Sequence, residues 1–222
     1  MIKIAPSILA ADPLRLYDDI QKVREAGCEW VHVDVMDAHF VPNLAYSADT
    51  VRKISDTLDI KTDVHLMMDN PEKMLDAFLD AGARCLTVHA EIPGDVPALL
   101  DRIRKRGRLA GVALKPGSPL EMINGYLDKT DLVLMMTVEP GFGGQKLDAR
   151  VISKIRSLYD TGYQGEIEAD GGIQEENLGL LTSNGLTMAV MGTAVFSQEN
   201  MKAYVSRLKK IGAERRAELR NR

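Results

Sequence analysis

Residues 30–36 read WVHVDVM, a pattern in which valine occupies every second position. Side chains alternate between the two faces of a β-strand, so this spacing predicts a strand with one valine face. The other face carries Trp30, His32, Asp34 and Met36. Valine suits a face that helices cover, whereas charged groups buried on the opposite face need partners. The stretch therefore predicts a strand of an α/β fold with a polar site at its carboxyl end.

Similar short apolar runs recur along the chain and alternate with longer amphipathic segments. The predicted strands are 2–7, 30–36, 61–67, 85–89, 110–114, 131–137, 166–169 and 188–191, and helical patterns between them include 13–26, 71–81, 96–106 and 149–161. Eight strand–helix units predict a parallel sheet, and within 222 residues they predict a single (β/α)8 TIM barrel over residues 1–222. An open doubly wound sheet is the alternative, although the GxGxxG fingerprint is absent after the first predicted strand.

Composition argues against several classes of protein. The net charge of -4 gives no basic surface for nucleic acid. No apolar run approaches the roughly 20 residues of a membrane span, and the first residues do not resemble a signal peptide. We therefore expect a cytoplasmic protein with no membrane partner. Cys28 and Cys85 lack metal-site spacing, which predicts two buried, reduced thiols.

Two histidines and two aspartates lie at or just after the ends of predicted strands, namely His32, Asp34, His65 and Asp170. The active site of a (β/α)8 barrel lies at the carboxyl ends of its strands, so these side chains should converge. Two imidazoles and two carboxylates suit Zn²⁺, Fe²⁺, Mn²⁺ or Co²⁺ without distinguishing between these ions. Asp63 is expected to support the site, since a metal-bound histidine needs an orienting partner. The alternative is that both histidines are satisfied core residues.

The two carboxylates Asp34 and Asp170 also suit proton transfer. If they flank a substrate carbon, one removes its proton and the other returns a proton to the opposite face. The metal would stabilise the enediolate formed between these steps, and the configuration at that carbon would invert. We expect the remaining histidines, His39 and His89, in a loop or a pocket wall rather than among the ligands.

Glycine-rich turns follow the last three predicted strands, where barrels often bind phosphate. Glycines let backbone N–H groups approach an anion closely. The residues concerned are Gly141, Phe142, Gly143 and Gly144, then Gly171 and Gly172, and finally Gly192 and Thr193. Left-handed turns alone are the alternative for any one glycine pair. Together with the acid pair, these turns predict a phosphorylated sugar as substrate.

Other strand-end residues have more than one interpretation. Met36, Met67 and Met136 could cover a planar enediolate, although methionine is usually core filler. Ser7 could contact a sugar oxygen or simply form a turn. Lys115 would suit a Schiff-base aldolase, but that mechanism leaves the histidine and aspartate set unexplained.

Seven segments match a known family. They are 5–9 (APSIL), 32–37 (HVDVMD), 40–43 (FVPN), 63–67 (DVHLM), 115–117 (KPG), 136–145 (MTVEPGFGGQ) and 170–172 (DGG). On these segments the chain resembles the ribulose-phosphate 3-epimerase family over nearly its whole length. The resemblance implies a (β/α)8 barrel that interconverts D-ribulose 5-phosphate and D-xylulose 5-phosphate. It implies one divalent metal per subunit on His32, Asp34, His65 and Asp170, with Asp34 accepting and Asp170 donating the proton in one direction.

The resemblance also implies the substrate contacts and leaves two alternatives open. Ser7, His65, the glycine-rich turns and Thr193 would contact the sugar or its phosphate, and the three methionines would cap the enediolate.

Ala38 stands where the family usually has glycine. Leu44 and Ser47 look more like a branch acting on D-allulose 6-phosphate, so the same chemistry on a hexulose is one alternative. A noncatalytic phosphosugar-binding barrel is the other, and a homo-oligomer is a possible assembly.

Overall fold

Parallel β-strands alternate with helices throughout the computed structural model, which describes residues 2–220. The strands are β1 (Lys3–Ala5), β2 (Trp30–Asp37), β3 (Leu44–Ala45), β4 (Lys61–Met67), β5 (Cys85–His89), β6 (Leu109–Leu114), β7 (Leu132–Met136), β8 (Glu166–Asp170) and β9 (Met188–Val190). The helices are α1 (Leu16–Glu25), α2 (Ala48–Thr57), α3 (Leu75–Asp80), α4 (Val96–Lys105), α5 (Val151–Asp160), α6 (Glu175–Ser183), α7 (Thr193–Phe196) and α8 (Met201–Arg220). Residues 1, 221 and 222 of the predicted barrel lie outside the described residues.

The strands form one sheet in the order β1-β9-β8-β7-β6-β5-β4-β2-β3. Of these nine, the two-residue β3 runs antiparallel to β2, and the remaining eight are parallel. The sheet closes where β1 meets β2, because Ser7 forms a parallel bridge with His32. The N–H of His32 donates to the carbonyl of Pro6 at 3.0 Å. The closure confirms the predicted (β/α)8 barrel rather than an open sheet.

The two faces of β2 separate as the sequence pattern predicts. Val31, Val33 and Val35 are buried in the large core between strands and helices. The alternate positions point inward, where His32 and Asp34 are buried. A second apolar cluster fills the barrel interior and contains Ala5, Trp30, Cys85, Ala113, Leu132, Leu134, Met136, Val138 and Met188. Polar groups share this interior, since the ligand atoms of His32, Asp63 and Glu168 are buried and lie within 4.8 Å of one another.

Some predicted helices differ from the observed ones at their ends. The pattern over 71–81 is a 3-10 turn, Pro71–Lys73, followed by α3. The break lies at Met74, whose φ of -110° departs from helical geometry. The pattern over 13–26 begins later, at Leu16, because the Asp12 side chain accepts the N–H of Leu14 in a turn. Local side-chain hydrogen bonds of this kind compete with the first turn of a helix.

Two expectations from composition can be compared with the fold. Cys28 and Cys85 are both buried and free, as predicted. Among residues 2–220, none of the helices combines the length and the apolar character that crossing a bilayer needs.

Ala38 has an unfavourable backbone conformation. Within residues 2–220 it is the only non-glycine residue with a positive φ, 63°. The left-handed conformation costs an L-residue about 1–2 kcal/mol, and the extra freedom of glycine in the unfolded chain offsets about 0.4–1 kcal/mol of that cost. We expect Ala38→Gly to raise the stability by up to about 1 kcal/mol and Tm by about 2–4 °C.

Thermal unfolding measures this change. Ala98→Gly, within α4, is the matched control, and we expect it to destabilise the protein by about 0.5–1 kcal/mol. A fall in Tm for Ala38→Gly equal to that of the control would contradict the assignment of strain to Ala38.

Candidate active site

The register between β2 and β4 brings the predicted ligands together. Asp34 pairs with His65, and His32 pairs with Asp63, so alternate residues of both strands face the barrel interior. Asp170 ends β8 and approaches from another side of the barrel. Ligand atoms of His32, Asp34, His65 and Asp170 all lie within 4.8 Å of one another. The structure therefore assembles the four residues that the sequence predicted as a metal centre.

Two buried imidazole nitrogens at this centre have no hydrogen-bond partner within the described residues. They are Nε2 of His32 and Nδ1 of His65. Each lies 3.4 Å from the same oxygen, Oδ1 of Asp34. A buried nitrogen without a partner is costly, and a shared cation would satisfy both nitrogens together with the carboxylates. The residues present therefore fit a divalent metal.

Asp63 determines how His32 presents its ring. Nδ1 of His32 lies 2.6 Å from Oδ2 of Asp63, and both side chains are fully buried. The Nδ1–H donates to this carboxylate, so a cation that displaces the other ring proton would meet the Nε2 lone pair directed at the cluster. Asp63 thus has the orienting role that its position suggested.

The charges around His32 and Asp34 compensate each other. Burial alone would lower the pKa of His32, but the carboxylates of Asp34 and Asp63 raise it well above its ordinary value. Burial would raise the pKa of Asp34, yet the nearby charge of His32 outweighs it and holds that pKa far below the usual range. Ser7 Oγ–H also donates to Oδ2 of Asp34 at 2.7 Å. Asp34 is therefore kept ionised as a candidate base.

Asp170 has the opposite tendency. Burial, together with the nearby charge of Asp34, raises the pKa of Asp170 to about 7. Two carboxyl groups whose environments separate their pKa values can act as an acid and a base in one reaction. The electrostatics of the site therefore suit the predicted exchange of roles between Asp34 and Asp170.

Thr137 fixes the turn that carries Asp170. Its N–H donates to the carbonyl of Asp170 at 2.7 Å. Its hydroxyl lies 2.8 Å from the same carbonyl and 2.6 Å from the carbonyl of Gly171. These contacts join the ends of β7 and β8, so the candidate acid and the neighbouring glycine turn are positioned together.

A cavity of about 380 Å³ opens over the cluster. Its lining includes Ser7, Asp34, Met36, Met67, Met136, Gly141, Phe142, Gly143, Gly144, Asp170, Gly171, Gly172, Gly192 and Thr193. The volume is typical of a small-molecule site. Of the predicted substrate contacts, His65 alone does not line the cavity, because it lies fully buried beneath Asp34. Ser7 reaches the cavity with its hydroxyl already donated to Asp34.

Three residues that the sequence singled out lie apart from the cavity. Lys115 places Nζ 4.0 Å from the ring centroid of Phe40 and does not line the cavity, which argues against the aldolase. His39 is in a loop with a side chain 76% exposed. His89 was expected in a loop or a pocket wall, but it is buried behind His65 because it ends a strand and faces inward.

The glycine-rich turns need glycine for steric reasons at some positions. Gly141, Gly144, Gly171 and Gly172 have positive φ. A Cβ on Gly172 would lie 2.4 Å from the backbone nitrogen of Leu147 and 2.7 Å from the carbonyl of Gln145. The two turns therefore approach each other so closely that only glycine fits at residue 172.

Alanine at residue 172 is expected to disrupt this wall of the cavity. The clash involves backbone atoms, so Gly172→Ala must displace the segment 145–147. Displacements near 1 Å can cost about 10²-fold in rate, and we expect kcat/KM to fall by about that factor. Steady-state kinetics on a sugar-phosphate substrate measure the effect. Gly125→Ala is the control, since a Cβ there meets nothing within 4 Å. Equal kinetics in both variants would contradict this explanation.

Sequence reasoning missed Glu168. It is fully buried inside the barrel, and neither carboxyl oxygen has a hydrogen-bond partner among the described residues. Burial, followed by the charge of Asp63, raises its pKa well above the ordinary value. The available signal was its spacing, because Glu168 lies two residues before Asp170 and therefore shares its face of β8.

Comparisons with known proteins identify the family and support the fold. The model of the ribulose-phosphate 3 epimerase family matches residues 3–196. A ribulose-phosphate 3-epimerase of Bacillus subtilis is 40% identical over 214 residues, covering 94% of this chain and 99% of that protein. One of Escherichia coli is 36% identical over 211 residues, covering 93% and 94%. The solved 3-hexulose-6-phosphate synthase of Salmonella typhimurium has a TM-score of 0.71 at 14% identity, covering 96% of this chain and 100% of that one, which supports the fold alone.

Proposed function

The chain belongs to the ribulose-phosphate 3-epimerase family, and from this premise we propose that it is an isomerase interconverting D-ribulose 5-phosphate and D-xylulose 5-phosphate. Both of these relatives carry the same activity in their names, and this chain covers more than nine-tenths of each. The substrate is thus a phosphorylated ketose. The reaction inverts one carbon, C3, by removing a proton from one face and returning a proton to the other.

His32, Asp34, His65 and Asp170 would hold one divalent cation. The unpartnered nitrogens of the two histidines and their common neighbour Asp34 support this assignment. A bound cation would supply positive charge next to the enediolate oxygens and so make the C3 proton acidic enough for a carboxylate base. Zn²⁺, Fe²⁺, Mn²⁺ and Co²⁺ all suit these ligands.

Asp34 and Asp170 would move the protons. In one direction Asp34 removes the C3 proton, and Asp170, which reaches the cluster from the end of β8, returns a proton to the opposite face. The roles reverse in the other direction. Met36, Met67 and Met136 line the cavity with apolar side chains that would exclude water from the planar enediolate. Reprotonation then occurs only from the two carboxyl groups.

The glycine-rich turns would bind the phosphate. The turns after β7, β8 and β9 all line the same cavity, and their glycines would let backbone N–H groups approach an anion there. This wall lies beside Asp170, so a bound phosphate would fix the distance between the sugar carbon and the acid. Phosphate binding would therefore contribute to orientation as well as to affinity.

One observation carries the proposal: two carboxyl groups from distant strands meet, with ligand atoms within 4.8 Å of one another, beside two imidazole nitrogens that have no partner among the described residues. The experiment is NMR of D-ribulose 5-phosphate in D₂O with the metal-loaded protein. We expect D-xylulose 5-phosphate to appear with deuterium at C3. Failure to form the epimer and to incorporate deuterium would instead indicate a noncatalytic phosphosugar-binding barrel.

The length of the sugar needs a separate measurement. Leu44, whose position prompted the comparison with a hexulose enzyme, is 73% exposed and does not line the cavity. We therefore expect a higher kcat/KM on D-ribulose 5-phosphate than on D-allulose 6-phosphate. A higher kcat/KM on D-allulose 6-phosphate would show that the hexulose phosphate is the substrate, and the proposed mechanism would stay the same.

A further inference from the structure

A chain of hydrogen bonds leads from His65 away from the cavity. Nε2 of His65 lies 2.9 Å from Nε2 of His89. Nδ1 of His89 lies 2.9 Å from Oε2 of Glu91. The other carboxylate oxygen of Glu91, Oε1, accepts the backbone N–H of Lys115 at 2.7 Å. Both imidazoles are fully buried, so the chain is shielded from water along most of its length.

Only one arrangement of protons satisfies this chain when His65 uses Nδ1 as a ligand. Neutral imidazole carries one N–H, so His65 must then hold it on Nε2. One proton lies between the two Nε2 atoms, so His89 must accept it and carry its own proton on Nδ1. That N–H donates to Glu91. The carboxylate can only accept, and it therefore determines the tautomers of both rings.

We propose that Glu91 and His89 are positioning residues that hold His65 in the tautomer presenting the Nδ1 lone pair to the metal centre. This inference rests on the proposed metal site. Under this inference a carboxylate orients each of the two histidine ligands. Asp63 contacts His32 directly, whereas Glu91 acts on His65 through the ring of His89.

Packing holds the intermediate ring in place. The centroids of His65 and His89 are 4.9 Å apart, with the rings inclined by 32°. Phe40 packs on His89 with ring centroids 4.5 Å apart. Nζ of Lys115 in turn lies over the ring of Phe40. The ring of His89 is thus fixed on several sides, so its orientation is set before any metal binds.

Glu91→Gln removes the control of the tautomer with little change in volume. Glutamine offers one acceptor oxygen, but His89 Nδ1–H and the N–H of Lys115 both need one. Either the backbone donor loses its partner, or the amide faces His89 and favours the opposite tautomer. In the second case the proton on His65 moves to Nδ1, where it blocks the ligand position.

Two substitutions at His89 distinguish its role as a hydrogen-bond acceptor from a role as a ring that only fills space. The oxygen of glutamine can accept the His65 Nε2–H, so His89→Gln should keep the tautomer. Phenylalanine packs against Phe40 but accepts no hydrogen bond. A merely structural role predicts equal effects of the two changes, whereas positioning predicts that only His89→Phe is damaging.

The experiment measures Zn²⁺ affinity by competition with a chromophoric chelator and the His65 tautomer by ¹⁵N NMR of the metal-free protein. For loss of an orienting partner we expect affinity to fall about 10–100-fold in His89→Phe and about 10-fold in Glu91→Gln, but less than about 3-fold in His89→Gln. In wild type, NMR should show the proton of His65 on Nε2, and Glu91→Gln should shift it toward Nδ1. Glu121→Gln, at an exposed residue in the connection after β6, makes the same charge change and should alter neither readout.

Several results would overturn the inference. Equal losses in His89→Gln and His89→Phe would indicate packing alone. If Glu91→Gln keeps the wild-type Zn²⁺ affinity and the wild-type His65 tautomer, the carboxylate of Glu91 does not control the tautomer. If His89→Phe does not fold, the comparison of Glu91→Gln with Glu121→Gln decides the matter. A wild-type protein that binds no Zn²⁺ would overturn the proposed metal site itself, and the tautomer measurement, which needs no metal, distinguishes that failure from the others.

Discussion

Asp170→Asn is expected to lower kcat for 3-epimerisation by about 10²- to 10⁴-fold, because asparagine cannot exchange a proton with C3. Asp34→Asn should have an effect of the same size for the same reason. The amide is close in size to the carboxylate and keeps one oxygen, so the fold should survive in both variants. Steady-state kinetics in both directions measure the loss.

The control for this prediction is Asp59→Asn, an exposed aspartate outside the cavity, which should keep wild-type kinetics. Metal content and Tm measured on all three variants separate a lost proton carrier from a lost metal or a lost fold. Substantial turnover in either active-site variant would refute the assignment of the two carboxylates. Solvent exchange at C3 without epimerisation in Asp170→Asn would instead support it, because Asp34 could still remove and return the proton on its own face.

Removal of the metal is expected to have a comparably large effect. A cation acting on the enediolate supplies several kcal/mol, so metal-free protein should lose about 10³-fold or more in kcat/KM. The measurement is activity after dialysis against a chelator, followed by titration with Zn²⁺, Fe²⁺, Mn²⁺ and Co²⁺ separately. The ion that restores the highest activity, compared with the ion found by elemental analysis of freshly purified protein, identifies the native metal.

Thermal unfolding provides a second readout of the same site. A ligand that binds only the folded protein stabilises it by mass action, so Tm should rise with metal concentration. The variant His32→Gln replaces one of the unpartnered nitrogens and should flatten that dependence. Full activity in protein shown by elemental analysis to be metal-free would exclude an essential metal.

The features of the site that follow period-two spacing were predictable from sequence. His32 and Asp34 share a strand face whatever the surrounding fold, and the barrel rule places the strand ends together. The glycine turns after β7 to β9 were recognisable for the same reason, because they occupy strand ends. In each case a local pattern was combined with one rule about the whole architecture.

Contacts that depend on the pairing of distant strands were not predictable. Glu91 lies beyond the end of β5, and its link to His65 exists only because β5 lies beside β4 in a particular register. The burial of Glu168 likewise depends on which strands surround it. Tertiary geometry also changed the helix over 71–81, where amphipathic spacing continued across a break in the backbone. Spacing along one segment carries no information about its neighbours in space.

The seam at which the barrel closes has a consequence for biosynthesis. The seam joins the first strand to the second at Ser7 and His32, and the same first strand is held on its other side by β9. A chain emerging from the ribosome exposes its first strand long before residue 188 is made. The ring can therefore be completed only late in translation, after most of the polypeptide has been synthesised.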